Sequence, residues 1–317
     1  MKSAADLLEV DPPPVPKVPV WARPRGEAQR DVDASYMAGA ALSSLDNLVG
    51  QAPLWVGVWR QRLALKSAGE ATRLLGRKEE VGELRDGHYF REASGDPGPS
   101  GRILLAWRRL SERGVTFNQS NIGPVAELLG IGWNGELTEL LDNAEALLSS
   151  ARPAPLLAAE IAAECYRARP DAELLAFWLA DAVLARKFRW MLAVPLLMGQ
   201  VGSSAFKAAE TRRRIRPGEE GWARAVLQAY ARAATDACDL AVDLAERTSL
   251  LVKVIPKLRA KGATDVIQLL LDDDAVPGSW SSARLSSRGA RRLFERLVDL
   301  GAARELTGRP TFRLYGL

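Results

Sequence analysis

The sequence predicts an all-α fold: a multi-helix body followed by a small C-terminal module of helices that closes in two short extended runs. Three observations carry this. From Asp31 almost to Pro256, apolar residues recur at spacings of three and four, the period of a helix face. Strand-like alternation is confined to the closing stretch "ARELTGRPTFRLY". No self-similarity of about 20 to 50 residues marks a solenoid. The length of 317 residues and the hydrophobic content of 47% fit an ordinary globular chain.

The elements follow in order. Residues 1–30 read as a proline-rich flexible arm, because Pro12, Pro13, Pro14, Pro16, Pro19 and Pro24 remove backbone donors and favour extended conformations that keep it out of a helical core. The body spans residues 31–258. "VDASYMAGAALSSLDNLVG" and "APLWVGVWRQRLALKSAGEATRLLG" are helical, and each closes on a glycine. After the loop "SGDPGPSG" come helices at "RILLAWRRLSERG", at "PVAELLG" with Pro124 in a first helical position, and at "GELTELLDNAEALLSS". "PLLAAEIAAECYRA" is closed by Pro170, and "DAELLAFWLADAVLARKFRW" is apolar nearly all round, which predicts the buried centre. The longest element runs from Glu219 to Ile255, with Trp222, Val226, Tyr230, Ala234, Ala237, Ala241 and Leu244 as its inward stripe.

Residues 259–317 read as a separate module. Thr264 can cap "DVIQLLL", and "VPGSWSSARL" is a turn that can hold one short helical piece. Ser286 or Ser287 caps the next helix, which buries Ala290, Leu293, Leu297 and Leu300 and turns Arg288, Arg291, Arg292, Glu295 and Arg296 outward. Gly301 stops it, and two strands then flank a tight turn at Gly308. Helix, turn, helix and two-stranded wing is the order of a winged helix-turn-helix.

Charge is concentrated in this module. The chain carries 43 Lys and Arg against 39 Asp and Glu, a net of +4. From Ala275 onward, eight arginines face only Glu295, Asp299 and Glu305, a net of +5. A one-sided positive module suits a polyanion, and double-stranded DNA is the expected partner. The expected contacts are Arg284, Arg288, Arg291, Arg292 and Arg296 on and beside the helix, with Arg309 and Arg313 in the wing against flanking phosphates.

The pattern of Ser286, Ser287, Ala290, Leu293, Leu297 and Gly301, continued by Arg304 to Arg309, Arg313 and Tyr315, resembles the winged helix that follows many Fic (filamentation induced by cAMP) domains. Over nearly the whole chain, "AALSSLDNLV", "WRQRLALKSA", "DPGPSGRILLAWRRL", "PLLMGQ", "LLLDDDAVP" and "RRLFERL" resemble the bacterial family called domain of unknown function 1403. That resemblance implies a cytoplasmic bacterial protein and supplies no activity. A Fic transferase would carry a His-Pro-Phe-x-x-Gly-Asn-Gly-Arg loop. The single histidine, His88 in "RDGHYFR", is followed by Tyr-Phe and has no such phosphate cradle.

Other chemistry is thinly supported. Glu160 and Glu164 lie one turn apart but have no Glu-x-x-His partners for a di-metal site, so no metal or cofactor is expected. Asp181 sits in the most apolar helix and should pair with an arginine such as Arg186. Lys207, Arg212, Arg213, Arg214 and Arg216 form a second basic run that can extend a phosphate track. The two cysteines, Cys165 and Cys238, suggest neither disulfides nor zinc. Most of the nine tryptophans fall on core stripes. The resulting expectation is a non-catalytic, regulatory DNA-binding protein whose body dimerises or senses a ligand, with no membrane association. The alternatives are a helical scaffold whose winged helix contacts protein, and a divergent Fic-like enzyme.

Overall fold

The computed structural model describes residues 14–26, 30–92, 94–258, 260 and 262–317. Among these residues there are eleven α-helices and one small antiparallel sheet. The body holds α1 (Asp31–Gln51), α2 (Val56–Leu74), α3 (Val81–Tyr89), α4 (Gly98–Glu112), α5 (Gln119–Leu128), α6 (Gly135–Leu148), α7 (Ala154–Ala168), α8 (Glu173–Lys187) and α9 (Trp222–Val254). The C-terminal segment adds α10 (Ala263–Asp272), β1 (Val276–Pro277), α11 (Ser287–Asp299), β2 (Arg304–Glu305) and β3 (Leu314–Gly316).

Helix α8 is the centre, as its composition predicts: every residue from Leu174 to Ala185 is buried. It packs along α7, while α9 lies along α1 and α2 along α4. Tryptophans join these pairs, because a buried indole N–H needs an acceptor. Trp59 of α2 donates to Ala237 O of α9 at 2.9 Å, Trp178 of α8 to Ala106 O of α4 at 2.9 Å, and Trp222 of α9 to Ala159 O of α7 at 2.8 Å. The whole predicted stripe of α9 from Trp222 to Leu244 is buried.

Several sequence expectations need correction. The arm does not stay apart from the core: Val18 and Ala22 are buried in it, and Arg23 grips Asp239 of α9 through two hydrogen bonds of 3.0 and 2.6 Å. Its residues 1–13 and 27–29 lie outside the described residues. Helix α5 starts at Gln119, where Asn118 accepts from Asn121 N, so Pro124 lies inside the helix and not at its first turn. Helix α1 runs through Gly50 and ends at Ala52, whose φ is 43°, whereas Gly76 after α2 takes the expected left-handed conformation at φ 72°. Thr264 lies within α10 and caps nothing, since the N-cap is Gly262.

Asp181 does not pair with Arg186, which reaches Glu145 at 3.0 Å. The Asp181 carboxylate, fully buried, accepts instead from the main-chain N–H groups of Leu196 at 2.8 Å and Leu197 at 3.2 Å. The Tyr230 hydroxyl lies beside it. The loop after α8 folds back and brings its own donors, an arrangement with no periodicity to announce it. Burial pushes this carboxyl up to about 7, against the donors that favour its ionised form.

Candidate nucleic-acid interface

The local sequence builds α11 as expected. The Ser286 hydroxyl accepts from Gly289 N at 3.2 Å and satisfies a first-turn donor. Ala290, Leu293, Phe294 and Leu297 are buried, and Phe294 stacks on Tyr315 of β3 with centroids 4.6 Å apart and planes at 3°. Gly301, at φ 68°, follows the helix end. With its apolar face fixed to the sheet, the polar face of α11 points to solvent.

The sheet has order β1-β3-β2, both pairings antiparallel. The sequence reading missed β1: Val276 and Pro277 pair with Tyr315 and Leu314. It also overstated the tightness of the tip, because residues 306–313 form a long loop between β2 and β3. Glu305 shapes that loop by accepting from the main-chain N–H groups of Thr307 at 2.8 Å and Gly308 at 2.9 Å.

The seven arginines singled out by sequence fall into two groups. Arg288, Arg291, Arg292 and Arg296 share the exposed face of α11, and among the described residues none has an ion pair or side-chain hydrogen bond. The other three are engaged. Arg284 lies 3.8 Å from Asp265 of α10. Arg313 donates to Arg309 O at 3.2 Å and lies 4.0 Å from Glu295. Arg309, assigned to phosphate by sequence, reaches across to Asp86 of α3 at 3.2 Å.

Helix α3 clasps the loop further. Arg85 donates to Leu306 O at 2.9 Å, and Phe90 meets Phe312 edge-on with centroids 5.8 Å apart. Phe312 has a φ of 55°, a strained position for an aromatic residue. Beneath the clasp lies a polar network that sequence reasoning did not find. Arg108 of α4 holds Asp273 through bonds of 2.9 and 3.1 Å, Tyr89 donates to the same carboxylate, and Arg62 of α2 grips Asp274 at 2.9 Å and the main-chain oxygen of Leu317. The available signals were "LLLDDDAVP", three aspartates closing an apolar helix, and the aromatic-basic cluster "RDGHYFR". In this setting burial, with Arg108 nearby, lowers His88 to about 4.

The second basic run is largely spoken for. Arg213 binds Glu219 through bonds of 3.0 and 3.2 Å, and Arg214 binds Glu173 of α8 at 2.5 and 3.0 Å. Glu160 and Glu164 are likewise engaged, by Arg152 and Asn143.

The family described as protein of unknown function (DUF1403) matches residues 8–317. The chain belongs to that family. The match takes in the body, α11 and the sheet together, so in this DUF1403 member they are parts of one family unit. Its description assigns no activity, and no curated protein matches the chain. Among the described residues of this DUF1403 protein, no helix is long and apolar enough to cross a membrane.

Proposed function

We propose that the C-terminal segment is a winged-helix module that binds double-stranded DNA, with α11 offered to the major groove and a regulatory role for the whole chain. The observation that carries this is the set of four uncommitted arginines on one exposed helical face. Guanidinium groups match guanine edges and phosphate oxygens bidentately, and a cation already paired must first give up its partner. The order helix, strand, helix, strand, strand, with β3 central, supports this reading. Two features depart from the pattern: residues 278–285 form turns and an isolated Ser282–Leu285 bridge where a second helix would stand, and Arg309 is held by the body.

The test is a salt titration of DNA binding by the full-length chain. Log affinity should fall linearly with log salt, by about one unit of slope for each phosphate neutralised. Arg291→Ala or Arg292→Ala should cost about 1 to 3 kcal/mol on a preferred site and narrow the gap to random DNA. If the combined Arg288→Ala, Arg291→Ala and Arg292→Ala variant binds like the parent, DNA contact through α11 is wrong. The alternative, in which the same face meets an acidic protein, would then take its place.

A further inference from the structure

A second surface lies away from α11, on α1. Trp21 is 58% exposed, Val32 64% and Tyr36 65%, and the rings of Trp21 and Tyr36 stand 5.6 Å apart. Val32 and Tyr36 are one turn apart on the same helix face, and Val20, 65% exposed, adjoins Trp21. These four side chains expose on the order of 400 Å², within the range of the largest apolar patch on a typical monomer, and such patches are often functional.

The patch continues along a helix face that carries no charge. From Ala34 to Leu45 the sequence "ASYMAGAALSSL" lacks any Asp, Glu, Lys or Arg, although Ser35, Tyr36, Gly39 and Ser43 are exposed. A solvent-facing helix surface is ordinarily charged and polar. The Ser35 hydroxyl turns back onto Asp31 O at 2.8 Å, so it asks little of the solvent. At its N-terminal border the charges are paired, Arg30 with Asp33 at 2.8 Å, Asp31 with Arg224 of α9 at 3.0 Å and Arg23 with Asp239 at 2.6 Å, while at the other border the exposed Asp46 accepts from Trp190 Nε1 at 2.7 Å.

We infer that this face of α1 is the two-fold interface of a homodimer. A face that must meet its own copy cannot bring like charges together at the axis, and Ala34 to Leu45, the stretch that an antiparallel crossing maps onto itself, carries none. It must also hold both a knob and its hole. In an antiparallel crossing of two α1 helices centred on Gly39 and Ala40, Tyr36 of each copy lies over Ser43 of the other, so a large ring meets a small residue twice. The aromatic cluster supplies about half of the roughly 800 Å² that each partner contributes to a standard interface, and the small-residue face with its flanks supplies the rest. The inference stands apart from the DNA reading and uses none of its residues.

Gly39 is the position at which to test it, because a side chain built there meets nothing within 4 Å and its backbone is ordinary helix. Sedimentation of the full chain at micromolar concentration should show a dimer. Gly39→Arg should weaken it on the order of a hundredfold by burying a charge at the axis, with the circular dichroism and melting temperature of its fold retained. Tyr36→Ala and Trp21→Ala should weaken it less. Both natural cysteines are buried, so the Gly39→Cys variant should form an intermolecular disulfide under mild oxidation, at the crossing point itself. A parent chain that stays monomeric, or a dimer that Gly39→Arg leaves intact and Gly39→Cys does not cross-link, overturns the inference.

Discussion

The outer face of α11 and the loop around residues 207–216 are both rich in arginine, yet they differ in what their guanidinium groups already hold. Arg213 and Arg214 are fastened to Glu219 and Glu173, and Arg214 thereby fixes its loop to the N-terminus of the central helix α8. Arg288, Arg291, Arg292 and Arg296 face solvent with no partner among the described residues. Local charge therefore says little until pairing is known. A paired cation acts on the fold, whereas an unpaired one is available to a ligand.

This contrast breaks if both clusters behave alike. Replacing Arg291 and Arg292 together with alanine should cost about 2 to 6 kcal/mol in binding to a preferred DNA site and leave thermal stability nearly unchanged. Replacing Arg213 with alanine should change stability by less than about 1 kcal/mol, as expected of an exposed pair, and DNA affinity hardly at all. Equal losses of affinity from the two clusters would move the interface to the loop.

The body's committed groups should instead appear in stability against pH. Asp181 lies at about 7 in the fold against an ordinary 3.8, so its contribution is fully present below the ordinary value and is lost as pH rises through about 7. The total is on the order of 4 kcal/mol, at about 1.4 kcal/mol per unit. His88 opposes it. Burial and the charges of Arg108 and Arg91 lower it to about 4, with Asp273 acting the other way, so its contribution is present above its ordinary 6.5 and is lost as pH falls toward about 4. The parent profile should therefore be flatter than that of either variant. In chemical denaturation, Asp181→Asn should leave stability that falls toward acid, and His88→Gln stability that falls toward alkali.

Asp273→Ala removes the acceptor shared by Arg108 and Tyr89 and should cost about 2 to 4 kcal/mol, since it leaves a largely buried cation without its main partner. An unchanged melting temperature would mean that the network beneath the clasp holds nothing. A smaller effect belongs to the clasp itself. Arg309 is half exposed, but Asp86 is buried and also accepts from Arg85 at 3.1 Å, so Asp86→Asn, which keeps one acceptor oxygen, should cost about 1 to 2 kcal/mol. It should also free one more cation for DNA and steepen the salt slope by up to about one unit. An unchanged slope would show that Arg309 takes no part in binding.

The proposed DNA surface was legible in sequence only in part. Ser286, the stripe from Ala290 to Leu297 and Gly301 together fix which way α11 faces, so the outward placement of its four arginines follows from periodicity alone. Arg284, Arg309 and Arg313 were assigned the same role, yet their partners, Asp265, Asp86 and Glu295, lie on other elements or nearly twenty positions away.

What the sequence determined by itself is whatever depends on neighbours within a turn or two: the helical body, the buried centre at α8, the cap and inward face of α11, and the excess of positive charge toward the C-terminus. What only the tertiary structure decided is which groups meet across long separations. Strand β1 could not be read from two residues, because a strand that short is defined by its partner β3. Asp181 found main-chain donors in a returning loop where a side-chain cation was expected. The proline-rich arm, which local propensity sets free, is held by Val18 and Ala22 in the core and by Arg23 on Asp239. Helical periodicity records which side of an element is buried but not against what, and the pairing of charges depends on the second of these.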